Sequence, residues 1–301
     1  MTGPMYHSPV LLRESVDGLE IKKGGVYVDV TFGGGGHSKE ILKRLGAEGK
    51  LLAFDQDEDA LENTIDDTRF TLINENFRFM KQFLKFYGIR KVDGILADFG
   101  VSSHQFDKAE RGFSTRFEAD LDMRMSKRNV LSAYDVVNKY SYDDLRKVFF
   151  RYGDLRSANA MAKTVIERRE QALIKTTEQL KEVLQRFLPK GREHKVLAQI
   201  YQAIRIEVNQ ELLVIEEFLL QTPDLLDRGG RLSIISYHSL EDRLVKRFIR
   251  SGQFEGEPEK DFYGNVEVPF KKLGPLIVPS KEEVANNNRA RSAKLRIAER
   301  I

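Results

Sequence analysis

The chain has 301 residues, 41% hydrophobic and 32% charged, enough for one large domain or two modest ones with real cores. It has no cysteine, which excludes disulfides, thiolate zinc sites, iron–sulfur clusters and covalent catalysis through a thiolate. Net charge is only +3, and neither an 18-residue apolar run nor a basic-then-apolar start occurs, so a cytoplasmic protein without membrane partners is expected.

Residues 26–30 form a β-branched, apolar run that reads as a buried parallel strand. It breaks into four consecutive glycines, Gly33 to Gly36, followed by His37 and a helical pattern from Ser38 to Leu45 that stops at Gly46. Glycine lacks a Cβ, so a ligand can lie directly against such a turn, and the N–H groups of the following helix favour its negative end. A second strand, Lys50 to Phe54, ends in Asp55. A carboxylate at that tip accepts hydrogen bonds from ribose hydroxyls, so the pattern predicts a nucleoside-containing cofactor. Asp29, inside the first strand, sits badly beside a pyrophosphate but suits a ligand bearing an ammonium group. S-adenosylmethionine is therefore preferred over a dinucleotide, with a nicotinamide-dependent oxidoreductase as the alternative.

Further along, residues 58–65 read as a helix, Phe70 to Ile73 as a strand leading to Phe77, and residues 78–87 as a helix ending at Gly88. Val92 to Ala97 reads as a fourth strand closing on Asp98. Strands alternating with helices predict a doubly wound α/β sheet, in which ligands sit at the carboxyl ends of the strands. Gly33 to His37, Asp55, Phe77 and Asp98 all lie at those ends. Phe77 is placed to stack on adenine or to fill the core. Asp98 opens a polar, glycine-bearing loop and is read as a site residue in preference to a capping aspartate. Gln105, at the end of that loop, is by spacing an exposed polar residue within reach of cofactor or substrate.

From residue 109 to 203 the signals are helical, among them a capping box at Thr176. The sheet pattern resumes after one long helix with the stripe Ile204, Val208, Leu212, Ile215 and Leu219. Gly229 and Gly230 then lead into a fifth strand, Arg231 to Ile235. The expected organisation is a discontinuous sheet domain, 1–108 and 204–301, interrupted by an all-helical insertion, 109–203. The tail after Gly252 reads as loop with an edge strand at Leu276 to Val278. His238, directly after the fifth strand, is placed equally well to face the cleft or to cap the next helix. His7, His104 and His194 share no spacing with acids, so no metal site is expected. Basic clusters at 124–128, 243–250 and 289–296 point to a polyanionic substrate. Without cysteine, methylation of a nucleobase is expected on nitrogen or oxygen.

Seven motifs then occur in order: Thr31 to Ser38 (TFGGGGHS), Gly100 to Ser103, Glu110 to Ser114, Leu121 to Met125 (LDMRM), Arg205 to Leu212, Ser236 to Arg243 (SYHSLEDR) and Arg289 to Arg296. With them the chain closely resembles, nearly end to end, the bacterial 16S rRNA cytosine-N4 methyltransferase family, which modifies cytidine 1402. The resemblance implies a Rossmann-like class I S-adenosylmethionine-dependent methyltransferase sheet with the helical insertion recognising RNA. It carries cofactor contacts over to Gly35, Gly36, His37, Asp55, Phe77, Asp98 and Gln105, beside Gly33 from the turn itself. The expected chemistry is in-line transfer of the sulfonium methyl to the exocyclic amine, with Asp98 or a neighbouring backbone carbonyl the first candidate to accept its hydrogen, ahead of His238 and Asn209. The expected partner is 16S rRNA in the small ribosomal subunit. A homodimer, another nucleic acid and a small-molecule substrate stay open.

Overall fold

Apolar runs alternating with helices give, in chain order, α1 (Leu12–Asp17), β1 (Val26–Asp29), α2 (Gly36–Arg44), β2 (Lys50–Phe54), β3 (Phe70–Ile73), α3 (Met80–Phe86) and β4 (Val92–Asp98). Six helices follow: α4 (Ser103–Asp107), α5 (Ala133–Lys139), α6 (Tyr142–Gly153), α7 (Ala158–Gln171), α8 (Thr177–Leu184) and α9 (Glu193–Asn209). The last elements are α10 (Glu211–Leu225), β5 (Leu226–Ser236), α11 (Ser239–Ser251), β6 (Phe270–Ile277), α12 (Lys281–Asn286) and β7 (Lys294–Arg300). This computed structural model describes residues 9–256 and 267–301, so His7 lies outside the described residues. It divides into two units, Met1–Gly100 with Leu212–Ile301, and Val101–Glu211.

The first unit is a seven-stranded sheet in the order β3-β2-β1-β4-β5-β7-β6, parallel except for the antiparallel pairings of β7 with β5 and β6. Successive side chains of a strand point to opposite faces, and both faces are covered. Tyr27, Leu51 and Leu96 pack with Val16, Ile41 and Leu42 on one side. Val28, Leu52, Ile95 and Ile234 pack with Phe218 and Phe248 on the other. Strand order reverses between β1 and β4, and at that switch point the carboxyl ends of neighbouring strands open a crevice. The α/β sheet expected from the sequence is thus present.

The second unit is helical, its core built from Leu145 and Phe149, Met161 and Val165, Leu180 and Leu184, and Ile200 and Ile204. It extends past 109–203 at both ends because Val101 and Phe106 pack on this core and Val208 belongs to it. The single long helix expected around residue 210 is two. Gln210 is left-handed (φ 51°) and ends α9, so Ile204 and Val208 serve the helical core while Ile215 and Leu219 serve the sheet. Residues 58–63 form a 3-10 helix where an α-helix was expected. The tail read as loop contains two strands. The expected edge strand at 276–278 is the end of β6, and the basic cluster 289–296 runs into β7, which lies inside the sheet.

Candidate active site

The glycine turn is built by conformations that only glycine adopts cheaply. Gly33 and Gly35 have φ of 53° and 74°, and a Cβ on Gly35 would lie 2.9 Å from the Phe32 ring. Gly35 is the N-cap of α2, so the helix starts two residues earlier than expected from Ser38. The first-turn N–H groups of Gly36, His37 and Ser38 therefore have no acceptor within the helix. On Gly36, a Cβ would meet Cγ of Pro9 at 2.1 Å.

Asp29 braces this turn from below. It is fully buried, and its two carboxylate oxygens accept from the Thr31 amide (3.1 Å) and the Ser38 hydroxyl (2.7 Å). The expectation that it faces a ligand's ammonium directly is corrected, because no part of the residue reaches the surface. Burial pushes its pKa up, against the nearby His37 and the Ser38 and Thr31 hydrogen bonds.

Asp55, at the carboxyl end of β2, holds the glycine turn from the side. One oxygen accepts from the Gly33 amide at 2.7 Å and the other from the Asp57 amide at 2.9 Å. A carboxylate has about four lone-pair sites, so each oxygen keeps capacity for a further donor. Desolvation lifts its pKa to about 6, opposed by the Asp57 and Gly33 amides and aided by the charges of Asp57 and Asp29. An ionised acceptor with spare lone pairs on two oxygens suits a vicinal diol.

Asp98 lies across the switch point at the end of β4. Its amide donates to the Thr31 hydroxyl (2.7 Å), tying β4 to the end of β1. Its carboxylate accepts from the Tyr237 hydroxyl at 2.7 Å and lies 3.9 Å from His37 Nδ1. The side chain keeps 22% of its surface exposed, yet burial raises its pKa to about 6, more than His37 and the Tyr237 hydroxyl lower it. His37, 5% exposed, places Nε2 3.1 Å from the Val10 carbonyl and its Nδ1 side towards Asp98. Burial and the Asp98 charge push the Tyr237 hydroxyl well above its ordinary pKa, so it stays a proton donor. Sequence reasoning passed over Tyr237. The signal for it is its place directly after β5, beside His238.

Phe77 stands in a 3-10 turn capped by Asn76. Its ring stacks on Phe99 (6.0 Å between centroids, 27° between planes) and meets Phe218 edge-on at 5.4 Å, while remaining partly exposed. It is both a core member and a flat surface at the tip of β3.

The remaining predicted residues have other engagements. His238 is the N-cap of α11: its Nδ1 accepts the Glu241 amide at 3.4 Å, and its Nε2 lies 3.0 Å from the Glu241 carboxylate. That carboxylate also accepts from the amides of Tyr237 and His238, fixing the turn after β5. In the helical unit, Gln105 is buried and forms a capping box with Ser102 at the start of α4. Asn209, also buried, accepts from the Met125 amide (2.7 Å) and donates to the carbonyls of Met123 (2.8 Å) and Arg205 (2.9 Å). Both its N–H hydrogens are thus used by the backbone. Arg111 donates to the carbonyls of Arg124 and Met125, and Arg124 pairs bidentately with Asp122. Segments some 80 residues apart therefore converge on one loop, 121–125, in which Met123 is left-handed. Replacing Asn209 by alanine strands two buried backbone groups, the Met125 amide and the Met123 carbonyl, and is expected to destabilise the helical unit by about 2–4 kcal/mol, checked by urea unfolding.

Among the described residues, the groups brought together at one strand-end crevice are the glycine turn, Asp55, Phe77, Asp98, His37 and Tyr237. Acceptor carboxylate, glycine cradle, flat ring and a second carboxylate fit an adenosyl sulfonium with an amino-acid end. No described helix is long and apolar enough to cross a membrane.

A family model described as the MraW methylase family matches residues 4–301. Two similar relatives are each named ribosomal RNA small subunit methyltransferase H. The one from Flavobacterium johnsoniae is 69% identical over 296 residues, 98% of either chain. The one from Christiangramia forsetii is 68% identical over 296 residues, again 98% of both. A third of that name, from Parabacteroides distasonis, is 53% identical over 298 residues and 98% of both chains.

Proposed function

The chain belongs to the MraW methylase family, and from that premise we propose that it transfers a methyl group from S-adenosylmethionine to the N4 amine of cytidine 1402 in 16S rRNA of the small ribosomal subunit. The relatives' shared name supports the small-subunit substrate. The choice of a nitrogen is supported by the chain's lack of cysteine, the residue that carbon methylation of a pyrimidine ring ordinarily requires. The family leaves the nicotinamide alternative without support.

The observation that carries the reading is Asp98: a partly exposed carboxylate at the switch point, bonded by the Tyr237 hydroxyl, with His37 nearby and its backbone amide tied to Thr31. S-adenosylmethionine supplies an electrophilic methyl on a positively charged sulfur. Around it, Asp55 would take the ribose hydroxyls on its spare lone pairs, and Phe77 would offer its face to the adenine. Gly33, Gly35, Gly36 and the first turn of α2 would receive the carboxylate end. The exocyclic amine of cytosine is a weak nucleophile because its lone pair is delocalised into the ring. An ionised Asp98 Oδ accepting one of its N–H hydrogens raises electron density on nitrogen, aligns it, and takes up the proton that the methylated amine must lose. Tyr237 keeps the carboxylate oriented without competing for that proton. The helical unit, with the loop 121–125 held by Arg111 and Asn209, is assigned to RNA recognition.

Mass mapping of 16S rRNA from cells lacking the protein is expected to show the loss of one N4-methyl mark, restored by the wild-type gene. An unchanged rRNA mass map would remove the assignment.

A further inference from the structure

The end of α3 displays an aromatic pair that the sheet does not need. Phe86 is 80% exposed and Tyr87 46%, with their rings edge-on at 5.2 Å. They are held there by a helix-ending motif. Gly88 is left-handed (φ 72°), the Gly88 amide donates to the Lys85 carbonyl, and the Ile89 amide reaches back to the Leu84 carbonyl. Leu84 is buried and Ile89 packs on the same core, so the turn is anchored and the two rings are presented, not loose. Large rings that remain in water in a fixed geometry mark a contact surface.

The sequence flanking the rings carries charge of one sign. Residues 84–92 contain Lys85, Arg90 and Lys91 and no acid. Among the described residues, neither Lys85 nor Arg90 has a salt-bridge partner, while Lys91 donates to the Leu226 carbonyl. Nearby acids are engaged: Asp93 by Lys22 at 2.8 Å and Asp224 by Lys81 at 2.7 Å. Exposed aromatics among unpaired cations are what a polyanion with flat bases recognises, through stacking and phosphate contacts.

We propose that Phe86 and Tyr87, with Lys85, Arg90 and Lys91, form a second RNA contact, binding an unpaired stretch of the small-subunit RNA away from the target base. The inference rests on the RNA substrate proposed above. The patch lies at the amino end of β4 and Asp98 at its carboxyl end, six residue steps or about 20 Å away. It cannot touch the reacting groups. Its task is to raise affinity for the subunit and fix the register in which the target strand arrives.

The test uses the full protein and purified small subunits. The pairs Phe86→Ala/Tyr87→Ala and Lys85→Glu/Arg90→Glu are expected to raise KM for subunits about tenfold or more, as loss of base stacking does. kcat, thermal stability and affinity for S-adenosylhomocysteine should stay within about twofold. The charge-reversed pair should also flatten the salt dependence of subunit binding by roughly 1.4 units of slope, about 0.7 per single-strand phosphate contact removed. Ultraviolet cross-linking of the wild type should attach a nucleotide to the peptide carrying Phe86 and Tyr87. Unchanged KM and salt slope would overturn the proposal, as would a cross-link from this peptide to a ribosomal protein in place of RNA. If the underlying substrate reading failed, the wild type would leave subunits unlabelled; failure of this inference alone leaves wild-type labelling intact.

Discussion

Asp98→Asn is expected to lower kcat for subunit methylation about 10²- to 10³-fold, the loss typical when one preorganised charged partner of the reacting group is removed. The substitution keeps shape and the Tyr237 contact but cannot take up a proton. Affinity for S-adenosylhomocysteine, which lacks the sulfonium charge, should change by less than about threefold in calorimetry. In the wild type, kcat should rise with pH through about 6 as Asp98 ionises and level off above it. That limb should vanish in the variant. The same group makes a stability statement with a definite sign. Its folded pKa, about 6, lies above the ordinary 3.8, so between those values the native state binds more protons than the unfolded chain. Native stability therefore falls as pH rises through that window, by at most about 3 kcal/mol for a shift of two units. Asp98→Asn should consequently melt no lower than the wild type at pH 8, and its advantage should shrink at pH 5. A loss of activity accompanied by a large loss of stability would contradict this account.

Asp55→Ala is the second large effect, and it falls on donor binding. On the proposed assignment the variant would lose two charge-assisted hydrogen bonds to a ribose, and hydrogen bonds to charged groups contribute about 1.5–3 kcal/mol each. S-adenosylhomocysteine affinity is expected to fall about 100-fold or more by isothermal titration. The Gly33 and Asp57 amides, now without their acceptor, loosen the glycine turn as well. Asp55→Asn, which retains one acceptor oxygen, should lose less, on the order of tenfold. Equal affinity of the alanine variant and wild type would show that the β2 tip does not hold the ligand.

The part of the site on the first two strands was legible because its chemistry is local. Gly33 to Gly36 between an apolar run and a helix, then Asp55 four residues after Leu51, depend on spacing alone. What was hidden depends on distant partners. The exposure of Asp29 is decided by Ser38 and Thr31 closing over it, which the identity of an acid does not reveal. Asn209 looks like an acceptor available to a base, but its side-chain oxygen takes the Met125 amide and its N–H donates to the Met123 carbonyl, both more than 80 residues earlier. The apolar stripe from Ile204 to Leu219 keeps helical period across a left-handed Gln210, so periodicity joined two helices that serve different cores. The strand β7 was hidden by its charges. Lys294 and Arg296 belong to the basic cluster 289–296 that looked like a polyanion-binding tail, yet Arg296 pairs bidentately with Asp242 of α11 while Leu295 and Ala298 are buried.

That last strand has a consequence for how the molecule is made. β7 lies between β5 and β6, and among the described residues β6 pairs with the sheet only through it. An inner strand is thus synthesised after both its neighbours, and no shorter nascent chain can complete the ladder. Until residues 294–300 emerge, β5 presents an open, apolar edge of the kind that invites pairing between chains. Translation itself therefore sets a window of aggregation risk that closes only when its final hydrogen-bonded rung is laid.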